Sequence, residues 1–267
     1  MPSVKVNDVE LYYELHGEGV PLLLITGWGC SAENWDPELI KDLSESYKVI
    51  SIDNRGVGQS SKPDVEYSIK MMADDVKGLM DAIDEEKAHM LGFSMGGMIA
   101  LDLALYYPET VKSLILCGAF CGGPSTKLTQ DVWNIMQLFT SGQPIEIPIE
   151  DLMKQFFSIV FTPKFLQENM EGLMTMFKSP APIYVFQRQA QAIVAYNASE
   201  RLNDVTAPTL VLTGEADVMV LPENSKFLAD GIPNAQLKMF KDTGHMFLWE
   251  IKDQAAKVLL DFLSRTQ

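Results

Sequence analysis

The stretch Lys87-Ala88-His89-Met90-Leu91-Gly92-Phe93-Ser94-Met95-Gly96-Gly97-Met98-Ile99-Ala100 decides how this chain is read. A short apolar run ends at Gly92. A pattern of helical spacing begins at Met95, with Met98, Ile99, Leu101, Leu103 and Leu105 as its apolar positions. Between them lies Gly92-x-Ser94-x-Gly96, the signature of a sharp strand-to-helix turn. So tight a turn holds its serine in strained dihedrals, and glycines on either side remove side chains that would collide around it. The Ser94 hydroxyl then stands at a helix N-terminus, where free N–H groups and the positive end of the dipole can stabilise an anion.

Outward from this turn, strand and helix alternate. Apolar runs at 21–25, 48–52, 88–91, 114–117 and 209–212 are continuous, as strands covered on both faces must be. Residues 5–14 predict a two-stranded opening with its turn at Val6-Asn7-Asp8-Val9. Residues 68–83 predict a helix with Met71, Met72, Val76, Leu79, Met80 and Ile83 on its apolar face. The order predicts an α/β fold with a doubly wound, mostly parallel sheet and right-handed crossovers.

The alternation stops between Ala119 and Val205. Amphipathic pieces at 130–138, 149–160, 162–177 and 181–196 take its place. Gly122-Gly123-Pro124, Gly142-Gln143-Pro144 and Ser179-Pro180-Ala181-Pro182 break them up. The expectation is an inserted helical cap, 119–205, on a core built from 1–118 and 206–267.

Composition narrows the classes. A 267-residue chain with 47% apolar residues holds one large core. A net charge of −15 repels nucleic-acid phosphates and anionic membranes, so neither is an expected partner. Three cysteines (Cys30, Cys117 and Cys121) lack Cys-x-x-Cys spacing, which suggests buried reduced thiols and no metal site. No run approaches the ~18 apolar residues of a membrane helix. The first residues lack a basic segment followed by an apolar one, so a cytoplasmic location is expected. Asp53-Asn54-Arg55-Gly56-Val57-Gly58-Gln59-Ser60 contains Gly-x-Gly, but the full dinucleotide pattern is missing. A structural turn pinned by Asp53 and Arg55 is expected there.

A serine nucleophile needs a base, and the chain has three histidines. His16 ends the opening strands, and His89 lies in the strand that leads into the turn, where packing is its expected role. His245 lies in a loop between a strand-like run at 237–240 and a closing helix. That loop should reach the C-terminal edge of the sheet, where open α/β sheets bind ligands. The acid that orients the histidine is expected from the loop after residue 212. Asp217 is favoured; Glu215 is second and expected to brace the loop, and Asp242 is too close to a strand end. Two N–H donors for an oxyanion are expected from Met95 and from Trp28, in Thr26-Gly27-Trp28-Gly29-Cys30.

On these residues the chain resembles the α/β-hydrolase family over nearly its whole length. The matching positions are Thr26-Gly27-Trp28-Gly29, Asp53-x-Arg55-Gly56-x-Gly58-x-Ser60, Gly92-x-Ser94-x-Gly96-Gly97, Pro208-Thr209-Leu210 with Gly214-Glu215-x-Asp217, and Gly244-His245. Residues 92–117 look similar to capped carboxylesterases and enol-lactonases in particular. The resemblance implies nucleophile Ser94, acid Asp217, base His245 and oxyanion donors Trp28 and Met95. It implies hydrolysis of a small-molecule carboxylic ester or lactone through an acyl-enzyme, with no metal or organic cofactor. A serine at position 94 sets the chain apart from the dehalogenases and epoxide hydrolases of that fold, which carry aspartate there.

One departure bears on the loop's shape: most such relatives have His-Gly where this chain has Thr26-Gly27. The rival activities are thioesterase, perhydrolase and enol-lactonase, with a slow-turnover ligand sensor as the rival of another class. An enol-lactonase acting on a dicarboxylate would want a cation in its pocket; Arg188 is the candidate, although solvated surface is the commoner fate of such a residue. Phe139, Phe156, Phe157, Phe161, Phe165, Phe177 and Phe186 are expected to form the core of the cap, with a few lining an acyl site.

Overall fold

The opening hairpin forms because Asn7 tolerates a left-handed backbone, with φ of 51°, between two strands. These strands are β1 (Ser3–Val6) and β2 (Val9–His16), paired antiparallel. The computed structural model describes residues 2–143, 145–176 and 181–266. The expectations placed on Pro144, Phe177, Ser179 and Pro180 lie outside them.

The chain continues through β3 (Val20–Ile25), α1 (Pro37–Ser44), β4 (Tyr47–Ile52), α2 (Ile69–Ala82), β5 (Ala88–Phe93), α3 (Met95–Tyr106) and β6 (Val111–Cys117). Helices α4 (Gln130–Thr140), α5 (Ile149–Val160), α6 (Pro163–Met176) and α7 (Ile183–Ala195) follow. Then come β7 (Thr209–Gly214), α8 (Pro222–Gly231), β8 (Gln236–Phe240), α9 (Phe247–Glu250) and α10 (Lys252–Ser264). The strands form one sheet in the order β1-β2-β4-β3-β5-β6-β7-β8. It is parallel from β4 to β8, and β2 joins β4 antiparallel. Each apolar run singled out in the sequence lies within one of these strands.

Burial explains the continuous apolarity, since every residue of β5 and β7 is buried. Helix α3 is apolar all round because it is buried from Met95 to Ala104. Helix α2 starts where the Ser68 hydroxyl accepts from the Met71 N–H at 3.1 Å, and it buries Met72, Val76, Leu79 and Met80. From β3 the chain passes to β4 on one side, and β5 lies on the other. This reversal opens a crevice at the C-terminal ends of β3 and β5, the place where such sheets bind ligands.

The Gly-x-Gly segment is a structural turn. Asp53 accepts from the Ala32 and Gln59 N–H groups, each at 2.7 Å. The buried Arg55 guanidinium pairs with Asp75 and with Asp8. Cys117 and Cys121 are buried as expected, whereas Cys30, in the loop after β3, is half-buried. Among the described residues no helix is long and apolar enough to cross a membrane.

His89 is fully buried in β5, with Nδ1 2.7 Å from the Ser113 hydroxyl. Burial pushes its pKa down to about 4, so the folded chain holds it neutral. Below its ordinary pKa of ~6.5 the unfolded chain takes up a proton that the folded chain refuses. This contribution to stability is complete above pH ~6.5 and is lost as the pH falls toward 4. Asp102 opposes it over part of the window, because burial raises its pKa to about 6 and the fold retains that proton. The His89 effect is therefore read by difference. The stability deficit of His89→Gln should shrink by roughly 3 kcal/mol between pH 7 and pH 4. Urea unfolding of both proteins at the two pH values measures this, and a constant deficit would contradict a buried neutral His89.

Candidate active site

Ser94 sits between β5 and α3 with φ 54° and ψ −119°, a conformation that a non-glycine residue adopts only under constraint. Its neighbours impose it. A Cβ on Gly92 would lie 2.2 Å from the Gly96 carbonyl oxygen, and one on Gly96 would lie 2.1 Å from that of Ile25. The Ser94 N–H donates to the Cys117 carbonyl at 2.8 Å, tying the turn to β6.

His245 and Asp217 meet although 28 positions separate them. His245 Nδ1 is 2.8 Å from Asp217 Oδ2, and both side chains are buried. The other carboxylate oxygen, Oδ1, accepts from the Met219 and Val220 N–H groups at 2.9 and 2.8 Å. Glu215 is exposed, and its backbone N–H donates to the Phe240 carbonyl. Asp242 is exposed with φ 57°. His16 stays apart, beside Glu14.

The loop after β3 is braced from several sides. The Thr26 hydroxyl donates to the Cys30 carbonyl at 2.8 Å, and the Cys30 N–H donates to the Gly27 carbonyl at 3.2 Å. Asn54 Nδ2 donates to the Thr26 carbonyl. Thr26 thus closes the loop on itself at the position where most members of the resembled family carry a histidine. Trp28 Nε1 donates to the Phe186 carbonyl, and its ring packs edge-on against Phe139, Phe156 and Phe186.

Two residues escaped sequence reasoning. Glu250 accepts from the Gly244 N–H at 3.0 Å and the Thr162 N–H at 2.6 Å, fastening the His245 loop to the α5–α6 connection. Gln189, on α7, accepts from the Gly29 N–H at 2.8 Å. Neither lies in a motif. A glutamate at a helix end and a glutamine on a helix read as solvated until the fold buries their partners.

A cavity of about 440 Å³ opens beside Ser94. Trp28, Met95, Phe120, Leu128, Val132, Trp133, Met136, Ile193, Tyr196 and Met219 are among its walls. A small adjoining pocket is lined by Ser94, Trp28, Phe156, Phe157 and His245. Ser94, His245, Trp28 and Met95 therefore share one crevice. None of the described residues lining either space is Asp, Glu, Lys or Arg. Arg188 is not among them: its guanidinium pairs with Asp64 at 3.0 Å at the surface, because α7 turns that face away from Ser94. Arg188 thus takes the surface position expected as its commoner fate, not the pocket position a dicarboxylate lactonase would need. Tyr196, on the cavity wall, donates to Asp102 Oδ1 at 2.9 Å and so joins the end of α7 to α3. Among the described residues no cluster of three or more His, Cys, Asp or Glu side chains could hold a metal ion.

Known proteins resemble this chain over nearly its whole length. The family described as the alpha/beta hydrolase fold matches residues 20–251. A 2-hydroxy-6-oxononadienedioate/2-hydroxy-6-oxononatrienedioate hydrolase of Dechloromonas aromatica is 31% identical over 96% of this chain and 91% of its own. The solved structure of Est816, named as an N-acyl homoserine lactone degrading enzyme, is 29% identical, with a TM-score of 0.78 over 98% of this chain and 100% of that one. The crystal structure of the enol-lactonase from Burkholderia xenovorans LB400 has a TM-score of 0.88 at 24% identity, over 98% and 100% of the two chains, a likeness of fold.

Proposed function

The chain belongs to the alpha/beta hydrolase fold family, and from that premise we propose that it is a serine hydrolase of neutral carboxylic esters or lactones. The observation that carries the reading is the strained Ser94 sharing a crevice with the buried His245–Asp217 pair. Asp217 fixes the proton on His245 Nδ1, which leaves Nε2 free to take the Ser94 proton. Ser94 Oγ attacks the carbonyl carbon, and the N–H groups of Met95 and Trp28 stabilise the oxyanion. Collapse of the adduct expels the alcohol, which takes the proton from His245 and leaves an acyl-serine. Water, deprotonated by His245, repeats the sequence and releases the acid. Residues 119–205 act as a cap, with Trp133, Met136 and Ile193 facing the substrate's apolar part.

The preference for neutral substrates rests on a lining in which none of the described residues is Asp, Glu, Lys or Arg. A carboxylate carried into this cavity would lose its hydration and gain no Lys or Arg partner among the described residues, at a cost of several kcal/mol. The likeness to Est816, named for a lactone, supports the same reading. The likeness to a dienedioate hydrolase favours a dicarboxylate, which no described cavity residue would neutralise.

The deciding assay compares p-nitrophenyl hexanoate with the p-nitrophenyl monoester of adipic acid, which differ by a terminal carboxylate. We expect kcat/KM to favour the neutral ester by at least ~100-fold. Equal values, or preference for the carboxylate, would overturn the neutral-substrate reading. Stoichiometric acylation without steady turnover would point to a ligand sensor instead.

A further inference from the structure

We propose that Gln189 of α7 is a positioning residue for the loop that supplies the Trp28 N–H, which makes the oxyanion site conditional on the seating of that helix. The inference rests on the reading of Trp28 as an oxyanion donor. The turn from Gly27 to Cys30 is closed by the Cys30 N–H donating to the Gly27 carbonyl at 3.2 Å. Gly29 has φ +70°, while Trp28 is not among the residues with positive φ. This is a type II turn, which demands glycine at its third position. Types I and II on the same four residues differ by rotation of the central peptide, here Trp28–Gly29, through roughly half a turn.

Gln189 holds that peptide. The Gly29 N–H donates to its Oε1 at 2.8 Å, and its own Nε2 donates to the Arg55 carbonyl at 3.3 Å. One partner is a donor and the other an acceptor, so only one orientation of the amide satisfies both. Gln189 has 0% exposure, which leaves no water to replace it. Three residues earlier on α7, the Phe186 carbonyl accepts from Trp28 Nε1 at 2.9 Å. A Cβ on Gly29 would lie 2.1 Å from the Phe186 ring. Residues three apart share a helix face, so one face of α7 holds both the Trp28 indole and the following N–H. Rotating the central peptide would turn the Trp28 carbonyl toward Gln189 Oε1, setting two acceptors against each other.

Gln189→Met keeps the side chain's length and removes both polar contacts. On p-nitrophenyl hexanoate we expect kcat to fall about 10- to 100-fold with KM within about threefold, less than the loss of an oxyanion donor itself. Inhibition by an alkyl boronic acid, whose serine adduct places an oxygen at the oxyanion site, should weaken by a similar factor. Gln189→Glu satisfies both partners only as the neutral acid. Its activity relative to the natural protein should therefore decline as pH rises and the carboxylate faces the Arg55 carbonyl.

Labelling of the natural protein at Ser94 with a fluorophosphonate separates the two levels of the argument. If that protein neither labels nor turns over esters, the hydrolase reading fails and this proposal falls with it. If it labels and turns over, but Gln189→Met shows unchanged kcat and boronate affinity, the role of Gln189 alone is overturned. Should the methionine variant not fold, a Gln189→Glu pH profile parallel to that of the natural protein overturns it equally.

Discussion

Ser94→Ala should lower kcat on short-chain aryl esters by about 10⁵- to 10⁶-fold, the order seen when a serine nucleophile is removed from an intact triad. Among the described residues no other hydroxyl combines the turn geometry with the helix N-terminus and the shared crevice. The fold should survive, since the Ser94 hydroxyl makes no capping hydrogen bond to α3 and the turn is tied to β6 by the Ser94 N–H. Thermal unfolding provides the control and a second readout. Alanine at φ 54° keeps the strain, whereas Ser94→Gly relieves it and should be more stable than Ser94→Ala by about 1–2 kcal/mol. Unchanged ester turnover in purified Ser94→Ala would remove the assignment.

Asp217→Asn should lower kcat by about 10⁴-fold, by analogy with the same change in an unrelated protease fold. The structure supplies the reason. Asp217 Oδ1 accepts from two backbone N–H groups, those of Met219 and Val220. An asparagine must leave its carbonyl oxygen there, which turns its NH₂ toward His245 Nδ1. A donor facing Nδ1 forces the imidazole proton onto Nε2, the atom that has to accept from Ser94. Glu215→Gln should cost less than about tenfold, because its side chain is exposed and makes no contact with the imidazole. Both variants measured on one ester at one pH settle the acid: a crippled Glu215→Gln beside a near-normal Asp217→Asn reverses the assignment.

Much of this arrangement is legible in the sequence, because its determinants are local. The Gly92-x-Ser94-x-Gly96 turn is dictated by backbone collisions within five residues and with the strand beside it. Strands covered on both faces must be apolar throughout, so their runs announce a parallel sheet. With three histidines, the two outside the crevice could be set aside by their place in the strand order.

Contacts between segments far apart in the chain were not legible. The meeting of His245 with Asp217 was inferred from the needs of the serine; its 2.8 Å separation and the two N–H groups that orient the carboxylate belong to the fold. Arg188 reads as either a surface residue or a pocket cation, and the register of α7 decides between them by turning it toward Asp64. Gln189, one residue on, belongs to no motif, and the same register points it at Gly29. Successive helix residues lie about 100° apart around the axis, so the rotation of α7 against the β3 loop decides which residue enters the site. Sequence alone determined the chemistry that the elbow demands; only tertiary packing decided which distant side chains serve it, because the facing of a docked helix is set by the surface it docks on.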